Sequence, residues 1–195
     1  MTFDDVVSFH GHACPGLAIG FRVAEVALQE LGEKAVDEEL VAVVENNSCA
    51  VDAVQVMAGC TFGKGNFIFK DYGKQVYTFI RRPSGKAVRI AVTWDPACSD
   101  PESPEETTMW QRYKDGDRAP EVLKVVHARK ARKMQMILNA QADDLFDVKH
   151  LTATLPETAR IYPSLRCDIC GEKVMEPRTR KVGEQILCIP CAENS

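Results

Sequence analysis

The stretch FHGHACPG places His10, His12 and Cys14 within five positions and then stops at Pro15. The chain has four histidines in all, so half of them lie here. Proline suits the first position of a helix, where no amide donor is needed. Cys14 therefore stands at a helix start, where the positive end of the helix dipole favours a thiolate. Gly11 frees the loop to turn both imidazoles inward. These are the ingredients of an activated thiol or of a metal site. The spacing is equally compatible with two ordinary loop histidines beside a small buried cysteine.

A second group follows. NNSCAVDAVQ puts Cys49 at a strand-to-helix junction, with Asp52 and Gln55 at three-residue steps along the helix. GCTFGKGN then brings Cys60 and Lys64 into a loop whose glycines, at 59, 63 and 65, let backbone amides approach a ligand. The Walker spacing is absent. Three cysteines, two histidines, an aspartate and a lysine thus fall at element ends. Bound to a metal, histidine and cysteine would serve as ligands around an open position. Without one, Cys14 or Cys49 would be a nucleophile and His12 its base. In either case Asp52 would orient a partner and Lys64 would hold an anionic group.

The C-terminus carries a different pattern. Cys167 and Cys170 form one C-x-x-C pair, Cys188 and Cys191 another, with 17 residues between them. That is four-thiolate zinc spacing. The segment has too few apolar residues to fold alone, so the metal would supply much of its folding free energy. Four ligands fill a tetrahedral sphere, which makes this zinc structural. Arg166, Lys173, Arg178, Arg180 and Lys181 balance Asp168, Glu172, Glu176, Glu184 and Glu193. The balance argues against nucleic acid as a partner, although Arg178, Arg180 and Lys181 form a local basic patch.

The elements that position these groups read as α+β. Residues 15–31 carry a helical stripe through Leu17, Phe21, Ala24, Leu28 and Leu31, closed by Gly32. A β-branched run at 40–46 reads as a buried strand, and 48–59 as a helix capped by Ser48. Residues 67–73, 74–80 and 86–94 read as antiparallel strands, and 95–106 as an acidic, proline-rich loop. A helix with a basic middle spans 120–142, its face at 124–133 reading as solvated, and 145–153 reads as a last strand. The expectation is a mixed or antiparallel sheet packed with helices over 1–153, a linker at 154–165, and a zinc module at 166–195. With 195 residues, 45% of them hydrophobic, the chain suits one domain plus an appendage. A net charge of −4 does not favour nucleic acid, and no apolar run is long enough for a membrane span. The acidic N-terminus does not look like a signal peptide, which points to the cytoplasm. There the eight cysteines read as metal ligands or reactive thiols rather than disulfides.

In this order FHGHACPGLAIGFR, NNSCAVDAVQ and GCTFGKGN resemble the signatures of proteins related to the FmdE component of formylmethanofuran dehydrogenase, the FmdE family, through most of residues 1–150. The resemblance implies an α+β core, a C-terminal zinc finger of treble-clef type, and a homodimer. It places His10, His12, Cys14, Cys49, Asp52, Gln55, Cys60 and Lys64 in or near the site, with His12, Cys14 and Cys49 as the strongest candidates for a second metal ion. It also implies association with a molybdenum- or tungsten-dependent enzyme of one-carbon metabolism, although no segment plainly binds a pterin or an iron–sulfur cluster. Cys98 lies outside the three motifs, and His127 and His150 read as surface or core residues. Two roles stay open, an enzyme or enzyme-associated component and a carrier of metal or cofactor. Regulation through nucleic acid is the least supported.

Overall fold

A computed structural model describes residues 1–95 and 101–194. The chain forms two compact units, Met1–Thr158 and Ala159–Ser195. In the first, the order is α1 (Phe3–His10), α2 (Pro15–Leu31), β1 (Leu40–Val44), α3 (Ala50–Ala58), β2 (Phe67–Phe69), β3 (Val76–Arg81), β4 (Lys86–Val92), α4 (Pro104–Lys114), α5 (Pro120–Asn139), α6 (Ala142–Leu145) and β5 (Phe146–Thr152). The five strands make one mixed sheet in the order β2-β1-β3-β4-β5. Only the β1–β2 pair is parallel, because α3 carries the chain back between them. The α+β reading of this unit therefore stands.

Strand alternation divides the sheet's residues between two faces. Leu40, Ala42 and Val44 of β1, with Tyr77 and Phe79 of β3 and Val88 and Ile90 of β4, join the main core. Val41, Ile80 and Ala87 point the other way into a smaller cluster closed by Ala153 and Leu155. Helix α2 is apolar around most of its circumference and is buried on two sides. Ala18, Ile19, Val23 and Ala27 face the main core, while Leu17, Phe21 and Ala24 meet Val6 of α1 and Ala53 and Met57 of α3. This sandwiching brings the starts of α2 and α3 together.

Two helices depart from the sequence expectation. Residues 3–10 form α1, held by a capping box in which the Thr2 hydroxyl accepts from the Asp5 amide and the Asp5 carboxylate from the Thr2 amide. The acidic segment expected as loop through 106 instead starts α4 at Pro104, with a second capping box between Ser103 and Glu106. In both, short polar residues set the helix start; α1 is amphipathic but only eight residues long, while the apolar stripe of α4 is weak. Helix α5 buries Val122, Val126 and Ile137, and also Lys133 on its basic middle. The solvated-face reading therefore fails at Lys133, whose ammonium lies 2.7 Å from the Glu102 carboxylate. Cys98 falls outside the described residues.

The second unit holds hairpins β6 (Ser164–Arg166) with β7 (Lys173–Met175) and β8 (Thr179–Val182) with β9 (Gln185–Cys188), then a short helix α7 (Ile189–Glu193). Its apolar cluster is small: Cys167, Leu187 and Cys188, with Val174, Cys191 and Ala192 packed against them. Among the described residues no helix is long and apolar enough to cross a membrane.

Candidate metal centre

In the first unit His10, His12, Cys14 and Cys49 each offer one ligand atom, and all four atoms lie within 4.8 Å of one another. Each comes from the end of a helix or the loop beside it. His10 is the last residue of α1, and Gly11 follows it with φ of +93°, a left-handed turn that glycine adopts without strain. The chain reverses there and delivers His12 and Cys14. Cys14 is the N-cap of α2, its sulfur accepting from the Leu17 amide at 3.4 Å. Cys49 directly precedes α3. Ser48, expected as the cap, does not play that part, because its hydroxyl donates to the Asn46 side-chain carbonyl at 2.7 Å.

Two glycines set the spacing of the sulfurs. A Cβ at Gly16 would stand 3.4 Å from the Cys49 Cβ and 4.0 Å from the Cys14 sulfur. A Cβ at Gly20 would lie 2.1 Å from the Ala50 carbonyl oxygen, so α2 and α3 touch backbone to backbone just past the two thiols.

His10 shows what the cluster is built to hold. Its Nδ1 donates to the Asp52 carboxylate at 2.7 Å, across 42 residues of sequence. With Nδ1 bearing the proton, Nε2 presents a lone pair. That Nε2 is buried and has no hydrogen-bond partner. A buried polar atom without a partner is costly, and a metal ion would satisfy it. A carboxylate fixing the far nitrogen of an imidazole is the usual support for a metal-bound histidine. The thiols agree. Burial, and then the neighbouring Cys14, pushes the Cys49 thiol above its ordinary range. A thiol held protonated is a poor free nucleophile, whereas a cation would reverse the balance. The donor set of two nitrogens and two sulfurs suits zinc or another borderline-soft divalent ion.

The structure does not gather every candidate here. Asp52 joins the centre through His10. Gln55, one turn on, uses its side-chain carbonyl to accept from the Phe62 amide at 3.3 Å. Lys64 donates to the carbonyls of Val36 and Asp37, both at 3.2 Å. Cys60 is fully buried and donates to the Leu40 carbonyl at 3.2 Å, and burial pushes its thiol up to about 12. These three stand outside the ligand cluster. His127 is exposed, and exposed His150 pairs with Glu30 at 2.7 Å. Sequence reading placed His10 among the site residues but not among the metal ligands, because its pairing with Asp52 is purely tertiary. Gly20 was also missed. A glycine inside an apolar helical stripe was the available signal.

In the second unit Cys167, Cys170, Cys188 and Cys191 likewise bring four sulfurs within 4.8 Å of one another. The sulfurs of Cys170 and Cys188 are 3.9 Å apart, close to the roughly 3.8 Å edge of a tetrahedron with 2.3 Å zinc–sulfur bonds. Amides of Cys188 and Cys170 hold the Cys167 thiol down to about 6, while neighbouring sulfurs push Cys191 up to about 12. Deprotonating all four sulfurs at this spacing requires a cation among them.

Residues 9–147 match the family model described as FmdE, molybdenum formylmethanofuran dehydrogenase operon. Residues 160–195 match the prokaryotic DksA/TraR C4-type zinc finger, in agreement with the four-cysteine cluster and with zinc as its metal. A curated relative from Archaeoglobus fulgidus, a probable S-adenosyl-L-methionine-binding protein, is 32% identical over 193 residues. That match takes in 94% of this chain and 50% of the relative, so the chain spans about half the relative's length. Among solved structures, a tungsten formylmethanofuran dehydrogenase FmdE-like protein from Syntrophus aciditrophicus shares the fold. It aligns with a TM-score of 0.63 at 23% identity over 98% of this chain and 90% of that one.

Proposed function

Starting from a chain that belongs to the FmdE family, we propose that its core unit holds a metal ion through His10, His12, Cys14 and Cys49, oriented by Asp52, in a catalytic or enzyme-associated role within one-carbon or molybdenum/tungsten-enzyme metabolism. One observation carries the reading: His10 Nε2 is buried without a partner while Nδ1 is locked to Asp52. His10, Cys14 and Cys49 are half-buried at helix ends, but His12 is exposed on its loop. Three fixed ligands and one displaceable ligand leave a coordination position that a substrate can take. The metal, when bound, supplies Lewis-acid character. The chain's part is to place the two sulfurs side by side, where the metal would draw them into the thiolate form, and to hold the His10 ring in one tautomer.

The exposure of His12 favours a second reading as well, a carrier that passes its metal to a partner enzyme. Exchange kinetics separate the two. A carrier gives up the core metal to a chelator within minutes, and a catalytic centre keeps it. The sulfur ligands require a reducing compartment, which fits the cytoplasm. A homodimer belongs to the same proposal and is read by sedimentation.

Elemental analysis of the full chain tests the metal assignment. Two equivalents are expected, one lost in Cys49→Ser and the other in Cys167→Ser. Full metal content in both Cys14→Ser and Cys49→Ser would defeat the assignment.

A further inference from the structure

Phe9 and Phe62 are 60% and 79% exposed, and Val36 is 88% exposed. Such exposure for three large apolar side chains asks for a reason. All three line one hollow of about 720 Å³. That volume lies in the range of small-molecule sites. Gln55 lies at the same hollow, as do Lys34 and Lys64, whose ammonium groups bond the carbonyls of Val56 and of Val36 and Asp37, with no carboxylate among the lining residues. Glu39, outside the lining, is near enough to Lys64 to feel its charge.

The walls are fixed before any ligand arrives. Buried Asn66 ties the glycine-rich loop down: its carbonyl accepts from the Thr61 amide at 2.9 Å, and its amide donates to Asp37 and Leu40 carbonyls at 2.9 Å each. Across the hollow, Ala35 donates to the Ala58 carbonyl at 2.9 Å, and Lys34 Nζ donates to the Val56 carbonyl at 2.7 Å. One bond leaves Lys34 two of its three ammonium donors, and two bonds leave Lys64 one. Gly63 lines the hollow and a Cβ on it would meet nothing within 4 Å, so this part of the loop leaves room for a ligand beside Phe62. A preformed apolar slot with cationic donors at its edge selects flat, anionic molecules.

We propose that this hollow binds a small molecule with a planar aromatic or heteroaromatic body, seated against Phe9 and Phe62, and a carboxylate or phosphate held by Lys34 and Lys64. The site is distinct from the metal centre, whose ligands do not line it, and the proposal stands whichever metal the core holds.

Calorimetric titration of the full-length, metal-loaded chain with 2-naphthoate and with neutral 2-naphthamide tests it. Naphthoate is expected to bind saturably, with naphthamide about tenfold weaker. Phe62→Ala, on an exposed side chain, and Lys34→Ala are each expected to weaken naphthoate about three- to tenfold. Absence of saturable binding at millimolar naphthoate overturns the proposal. So does binding that neither variant changes, since that places the anion elsewhere, the core metal included. A chain that self-associates and becomes monomeric in Phe62→Ala, excluding naphthoate until then, also overturns it by giving the face to a second copy.

Discussion

Replacing Gly20 with alanine sets two known effects against each other. In an exposed helix the change stabilises by about 1 kcal/mol. Here the new Cβ would stand 2.1 Å from the Ala50 carbonyl oxygen and 2.6 Å from its Cα. An ordinary carbon–oxygen contact is about 3.3 Å, so α2 and α3 must part by roughly 1 Å. The obstacle is backbone, which no rotamer change relieves. Overpacking of this kind costs about 3 kcal/mol, leaving a net loss of about 2 kcal/mol. For a domain of this size the melting temperature should fall by about 4–8 °C. The consequence for the centre is sharper. Cys14 and Cys49 begin the same two helices, and metal–ligand distances tolerate only about 0.2 Å. Core metal affinity should drop at least about tenfold, while the tail keeps its zinc. Calorimetric melting and competition with a chelator read both effects. Gly63→Ala is the control, because its Cβ would meet nothing within 4 Å. A Gly20→Ala protein that melts within about 1 °C of the parent and holds its core metal as tightly would refute the argument that this helix contact positions the sulfurs.

Further outcomes follow from the same contacts. Asp52→Asn, which weakens the anchor on His10 Nδ1, should lower core metal affinity about 10- to 100-fold with little change in stability, measured by chelator competition. Cys60 should stay unreactive toward a thiol reagent at pH 8 in the folded chain, since burial holds its thiol near 12; rapid labelling at Cys60 would contradict its place in the core. The Glu102 carboxyl is held down to about 2 by hydrogen bonds from Arg129 and Lys133. A depressed carboxylate stabilises above its unfolded value of about 4.5 and loses that contribution as pH falls toward 2. Allowing for solvent screening, on the order of 2 kcal/mol should disappear across that window, and Glu102→Gln should flatten the decline in denaturant midpoints.

Helix α2 and most strands were legible because their signals are local. β-branched runs and an apolar stripe at helical spacing need no knowledge of the rest of the chain. The parallel pairing of β2 with β1, where 67–73 was expected to be antiparallel, depends on the crossover through α3 and was not legible. The tail was legible because two C-x-x-C pairs encode four ligands in sequence spacing. Helices α1 and α4 were missed although Thr2 with Asp5, and Ser103 with Pro104 and Glu106, are start signals in the sequence; α1 is only eight residues long, and α4 has few apolar residues to extend the signal. In the core, sequence spacing identified which residues have the right chemistry but not which of them meet. Cys60 belongs to the same run of motifs as Cys49. Yet the left-handed turn at Gly59 ends α3 and directs Cys60 inward to the Leu40 carbonyl.

That difference between Cys49 and Cys60 explains why the centre sits where it does. A thiol at a helix start is half-exposed and lies near unpaired amides, so it can be drawn into the anionic state by a metal. A thiol past a helix end, packed in the core, meets carbonyl oxygens, which favour the protonated donor. His10 comes from a helix end too, but its position is rescued by a carboxylate brought from α3. Asp52 therefore has a dual place. It lies in the first turn of α3, where a negative charge complements the helix dipole, and it fixes the imidazole that faces the thiols. Neutralising it should loosen the centre without unfolding the helix, because the packing of Ala53 and Met57 against α2 remains.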